Sequence, residues 1–141
     1  MLSALSDAGA DYLVVGAHAL AVHGYPRATG DLNIWVRPTK DNSARVWQAI
    51  ERYGAPKRNV TAEDFHAPDT VFQIGVAPYR IDILTAISGV EFEEAWQHRV
   101  STAVDQHSFF VIGREQLLKN KRATGRPKDL ADAAWLEESG G

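Results

Sequence analysis

Residues 27–36, RATGDLNIWV, constrain the fold of this chain more than any other stretch. Leu32, Ile34 and Val36 alternate with Asp31, Asn33 and Trp35, which is the period of a half-buried strand. Successive strand side chains point to opposite faces, so Asp31 and Asn33 share a face, about 6–7 Å apart. Side by side they form a candidate site for a hard, hydrated cation such as Mg²⁺, which accepts Asp and Asn oxygens. Asp and Asn are equally at home in turns and at strand edges, so the pair alone leaves both readings open.

Residues 2–8 form a short helix stopped by Gly9, and the apolar run 12–15 is a buried strand. Gly16 leads into a helix over 17–23 that ends at Gly24. Strand, glycine and helix N-terminus together can hold phosphate, although the stretch is far from a P-loop or a dinucleotide fingerprint. Pro38 ends the central strand, and Thr39 or Asp41 caps a helix carrying Ala44, Val46, Trp47 and Ile50 up to Gly54. Residues 57–69 are polar and loop-like. Two strands follow, over 71–76 and 79–84, joined tightly at Ala77-Pro78. Asp82 sits between Ile81 and Ile83, and a carboxylate there needs a partner: a base such as Arg80 or Arg27, or a metal. Ser88 to Glu91 has the spacing of a capping box ahead of a short helix with Phe92, Ala95 and Trp96. Residues 99–104 and 108–112 form a hairpin. A helix over 114–124 rests on Leu117 and Leu118 and stops at Gly125. Pro127 opens the last helix, reaching about residue 138, with Leu130, Ala133, Ala134, Trp135 and Leu136 as its buried side and a frayed Gly140-Gly141 end. Mixed strands and helices with hairpins in the second half predict a single α+β domain over 1–141, a mixed sheet flanked by helices.

Composition narrows the function. A length of 141 residues is the size of one domain, and a net charge of −3 gives no sign of wholesale nucleic-acid binding, so any basic site is local. The chain has no cysteine, which excludes a disulfide framework and thiolate catalysis and fits the cytoplasm. No apolar run is long enough to span a bilayer, and the first residues lack the pattern of a signal peptide. Against the acidic background, Arg114, Lys119, Lys121, Arg122, Arg126 and Lys128 cluster. Lys119, Arg122 and Arg126 are spaced as one helix face, suited to a triphosphate or an RNA backbone. Asp129 and Asp132 stand nearby as alternative ion-pair partners. Lys121 and Arg126 are the foremost phosphate candidates, with Arg27, next to Asp31, either pairing with it or reaching a phosphate. His18 and His23 do not have zinc-pair spacing. His18 is placed near the phosphate layout, and Trp35 shares the Asp31–Asn33 face, though core packing accounts for both residue types.

Taken together, Val14-Val15-Gly16-Ala17, Asp31-Leu32-Asn33 and Ile81-Asp82-Ile83 resemble the nucleotidyltransferase superfamily that shares the DNA polymerase β core. Within it the chain resembles the minimal nucleotidyltransferases and the AbiEii-type toxins, and the closing stretch 119–132 resembles the helix pair that follows the core in these proteins. The resemblance implies a polymerase β-like fold and a metal-dependent transfer of a nucleoside monophosphate from an NTP to an RNA or protein acceptor, in the setting of a toxin–antitoxin system. It implies that Asp31, Asn33 and Asp82 are the catalytic and Mg²⁺- or Mn²⁺-binding residues. It implies that Gly16 and Ala17 lie along the β and γ phosphates. Two residues depart from the family pattern. Asn33 replaces an acid, removing one negative charge from the metal site, and Ala17 replaces glycine or serine. The departures admit a second function, a weakened or inactive nucleotidyltransferase fold that binds a nucleotide or a partner. The small size of the chain suggests a homodimer or a partner such as an antitoxin.

Overall fold

The first strand of this computed structural model, β1 (Tyr12–Val15), is apolar throughout and buried on both sides. The structure describes residues 1–25, 30–55, 60–76 and 80–139. Expectations about Arg27, the Ala77-Pro78 junction and Gly140-Gly141 lie outside the described residues. β1 runs antiparallel to β2 (Leu32–Val36), with Val15 opposite Asn33 and Tyr12 opposite Val36. β2 pairs in parallel with β4 (Ile81–Leu84), and β3 (Val71–Ile74) closes that edge antiparallel to β4. On the other side β1 meets β6 (His107–Val111) in parallel, and β6 pairs with β5 (Val100–Val104) as a hairpin. The result is a six-stranded mixed sheet in the order β3-β4-β2-β1-β6-β5, within an α+β fold.

Helices cover the sheet. α1 (Leu2–Asp7) packs against α3 (Lys40–Tyr53), and α2 (Gly16–Val22) leans on β1 and β2. Thr39 caps α3 by accepting from the Asn42 backbone N–H at 3.3 Å. Asn42 is buried yet fully used. Its Oδ1 accepts from the Asp11 N–H at 2.7 Å, and its Nδ2 donates to the carbonyls of Asp11 and Arg37 at 3.0 Å each. One amide thus ties the start of α3 to the beginning of β1 and the end of β2, and a buried polar group so satisfied costs little. Ile34, Val36, Val46, Ile50, Phe65 and Phe72 belong to the core behind the sheet, while Trp35 meets Phe92 edge-on at 5.1 Å on the opposite side.

Several local expectations change. The polar stretch 57–69 contains a 3₁₀ helix, Ala62–His66, closed by a Thr61/Asp64 capping box that seats Phe65 in the core. Ser88–Glu91 is not a capping box. Gly89, at φ +78°, lies in a turn spanned by an Ile87–Val90 bridge, and a β-carbon there would stand 2.5 Å from that of Ala123. The following helix, α4 (Phe92–Gln97), starts at Glu91 without a side-chain cap among the described residues. The β5–β6 turn takes only Asp105 and Gln106, both at positive φ, the two-residue primed turn that matches strand twist. The last two helices, α5 (Arg114–Thr124) and α6 (Pro127–Ser139), pack on each other. The buried side of α6 is Asp129, Asp132, Ala133 and Leu136, whereas Leu130 is 49% exposed and Ala134 faces solvent. The stripe is displaced because Lys121 of α5 is buried and draws both carboxylates inward. Among the described residues no helix is long and apolar enough to cross a membrane.

Candidate active site

The candidate residues meet at one end of the sheet, where β1 finishes and β2 and β4 begin. Asn33 is the second residue of β2 and Asp82 the second of β4, and the parallel register sets them directly opposite one another. The antiparallel register sets Val15 opposite Asn33 from the other side, which delivers Gly16 beside it. Gly16 has φ +73°, and a β-carbon on it would lie 2.6 Å from Asn33 Nδ2. No other residue type meets both the left-handed backbone and that close approach without strain. The nonlocal pairing of three strands therefore converts three separate short motifs into one cluster.

Asp82 is buried, and the charge it carries has a partner. Arg80 Nε lies 3.0 Å from Asp82 Oδ1, and its Nη2 donates to Asp82 Oδ2 at 3.3 Å. The same Nη2 lies 3.2 Å from Asp31 Oδ2. One guanidinium therefore bridges the two carboxylates. The Nε contact is an ion pair by distance without hydrogen-bond alignment, since neither Arg80 Nε nor Asp82 Oδ1 has a hydrogen-bond partner among the described residues. Asn33 Oδ1 is also buried without a hydrogen-bond partner among them. Gln73 of β3 stands opposite Asp82 on the edge strand and is exposed. Arg80 is the site residue that the motifs leave out. Its signal is in the sequence all the same, because Arg80 and Asp82 are two apart and share a strand face.

The donor set suits a hard cation. Asp31 and Asp82 offer carboxylate oxygens, and the buried Asn33 Oδ1 offers a neutral one, all of the kind that Mg²⁺ takes. Among the described residues no three Asp, Glu, His or Cys side chains gather, because the third ligand position is an amide. Asp31 is 38% exposed at the side chain and faces the rim, while Asp82 anchors the floor.

The remaining candidates make their described contacts elsewhere. Lys121 is 8% exposed, with Nζ 3.4 Å from Asp129 Oδ1 and 3.3 Å from Asp132 Oδ2. Arg126 Nε donates to Asp129 Oδ2 at 2.6 Å. Burial pushes the Asp129 carboxyl up, but hydrogen bonds from Arg126 and Thr124 and the charges of Lys121 and Arg126 outweigh it and hold it below its usual value. The expected basic face breaks at Gly125, which is left-handed and ends α5, so Arg126 does not continue the line of Lys119 and Arg122. Lys119 pairs with Glu94 at 2.8 Å and Arg122 with Glu137. Lys121 is paired inside the helix pair and Arg126, 73% exposed, at its surface, and no described contact brings either to β2 or β4. His18 lines an apolar groove with Leu2, Val14 and Leu32, on the face of the sheet away from Asn33. His23 Nε2 lies 2.8 Å from the Ile112 carbonyl, which can only accept, so the ring donates and ties α2 to the end of β6. Trp35 is 1% exposed and belongs to the core.

No family model matches the sequence, and no curated protein matches it. Among solved structures, the chain is similar to a candidate nucleotidyltransferase from Thermotoga maritima, with a TM-score of 0.63 and 13% identity over 97% of this chain and 88% of that one. At that identity the likeness establishes the fold alone, a nucleotidyltransferase fold.

Proposed function

We propose that the cluster of Asp31, Asn33 and Asp82 is the centre of a metal-dependent nucleotidyltransferase. The observation that carries this reading is the strand register. On a nucleotidyltransferase fold, it sets Asn33 opposite Asp82 and packs Gly16 against Asn33. Mg²⁺ or Mn²⁺ held by Asp31, Asn33 and Asp82 supplies charge neutralisation for a triphosphate and lowers the pKa of an acceptor hydroxyl. The chain's own part is positioning, which is most of what phosphoryl and nucleotidyl transfer require. Asp82 fixes the floor of the site because burial and strand pairing leave it little freedom. Asp31, at the rim, is exposed enough to meet an incoming nucleotide. Gly16 and Ala17 present backbone without a bulky side chain where phosphates would pass. Lys121 and Arg126 have no part in this proposal, because Asp129 and Asp132 already engage them.

The proposed acceptor is an RNA end or a protein side chain, with a second copy or an antitoxin-like partner completing recognition. A second reading follows from Asn33, whose neutral oxygen leaves the site with two carboxylates: the fold binds nucleotide or partner without transfer. Incubation with α-labelled NTPs, Mn²⁺ and total RNA or total cell protein separates the two. The enzyme reading expects label on one acceptor class, lost in Asp82→Ala. No transfer by the native chain together with none by Asn33→Asp contradicts it.

A further inference from the structure

We infer that Arg80 is a resident counter-ion of the metal site, displaced when a metal–nucleotide complex binds. This rests on the functional reading above and adds a residue and a coupling to it. The guanidinium spans Asp31 and Asp82 at 3.0–3.3 Å from three of their four oxygens. A divalent cation shared by those carboxylates would take, at about 2.0–2.6 Å, an Asp82 oxygen that Arg80 already contacts. It would also stand against a like charge. Arg80 and the metal therefore exclude each other, and the cost of evicting one is felt by the other by the same factor.

The chemistry of Arg80 gives the displaced group a destination. Arginine stays charged at any working pH, so it cannot leave by losing a proton. Its planar fork matches phosphate oxygens as well as carboxylates. At 34% exposed it already reaches the rim beside Asp31. A nucleotide arriving with its metal brings the anion that replaces the lost carboxylates. Metal alone brings no such anion and must strip Arg80 from its partners unaided. The consequence is cooperative binding: the free metal binds weakly, the metal with an NTP binds tightly. The poor alignment of the Nε contact, with Arg80 Nε and Asp82 Oδ1 both lacking a hydrogen bond among the described residues, fits a pair built to part. A permanent strut between the two strands would instead favour aligned bonds on both nitrogens.

The test measures Mn²⁺ binding by electron paramagnetic resonance, without nucleotide and then with a non-hydrolysable ATP analogue, on the native chain and on Arg80→Gln. Arg80→Gln is expected to raise affinity for free Mn²⁺ by at least about tenfold, within the usual range of coupling between sites, and to shrink the gain that the analogue brings. In the native protein the Arg80 Nε–H nuclear magnetic resonance signal is expected to move on addition of Mg²⁺ with analogue, which covers the case of a variant that does not fold. Unchanged or weaker Mn²⁺ binding by a folded Arg80→Gln, with analogue still bound, overturns the displacement and leaves the functional reading standing. Tighter Mn²⁺ binding with no analogue bound by either protein upholds exclusion by the metal and overturns the nucleotide reading. An Arg80 signal that stays fixed while metal and analogue bind overturns the inference directly.

Discussion

Gly16 decides the geometry of the site at the scale of single atoms. Its backbone is left-handed, and a β-carbon added to it would stand 2.6 Å from Asn33 Nδ2, which leaves room for hydrogen alone. Gly16→Ala is expected to cost about 1–2 kcal/mol, the usual penalty for a left-handed non-glycine residue, and to push the Asn33 amide out of its place beside Gly16. Urea denaturation reads the first effect, and the shift of the Asn33 side-chain amide resonance reads the second. An unchanged midpoint and an unmoved amide would contradict the packing described. The pairing of Asp31 with Asn33 is legible from two-residue alternation, and so is the need of Asp82 for a partner. Arg80 as the bridge to both acids is not, because Arg27 and a metal meet the same requirement equally well in the sequence. The burial of Lys121 escapes the sequence for a physical reason: a count of basic residues records charge but not depth, and the depth comes from how α6 packs.

The α5–α6 pair is a unit in which ion pairing replaces part of an apolar seam. Asp129 and Asp132 occupy buried positions three apart on α6 and close on Lys121, with Arg126 as a lid at the surface. Because Asp129 is held below its usual value, its contribution is fully present above the unfolded carboxyl range, near pH 4–5, and is lost as pH falls through the lower folded value. Acid unfolding followed by circular dichroism is expected to show this loss below about pH 4, and Asp129→Asn is expected to flatten it. At neutral pH the same change is expected to cost about 1.5–3 kcal/mol, the worth of charge-assisted hydrogen bonds, with Asp132 still opposite Lys121. A neutral-pH loss near zero would mean that the buried pair does not hold the helices together. Helix starts and stops here are legible, from Pro127 and Gly125, whereas the exposed Leu130 and the buried carboxylates invert what apolar periodicity alone suggests.

At the scale of the whole molecule the site exists only because the sheet order is β3-β4-β2-β1-β6-β5. β2 and β4 are neighbours in space but are separated in the chain by α3, the 3₁₀ helix and β3. The strands themselves follow from apolar runs and alternation, but their order depends on nonlocal pairing that no local pattern records. The class, a mixed α+β sheet, is legible; the juxtaposition of Asn33 with Asp82 becomes visible only through the register. On the function proposed above, this juxtaposition binds a metal and a nucleotide together. Calorimetric titration of ATP, GTP, CTP and UTP with Mg²⁺ or Mn²⁺, on the native chain, Asp31→Ala and Asn33→Asp, tests it most directly. Metal-dependent binding of at least one NTP is expected, abolished in Asp31→Ala and strengthened in Asn33→Asp. Nucleotide binding that ignores the metal and survives Asp31→Ala would contradict it.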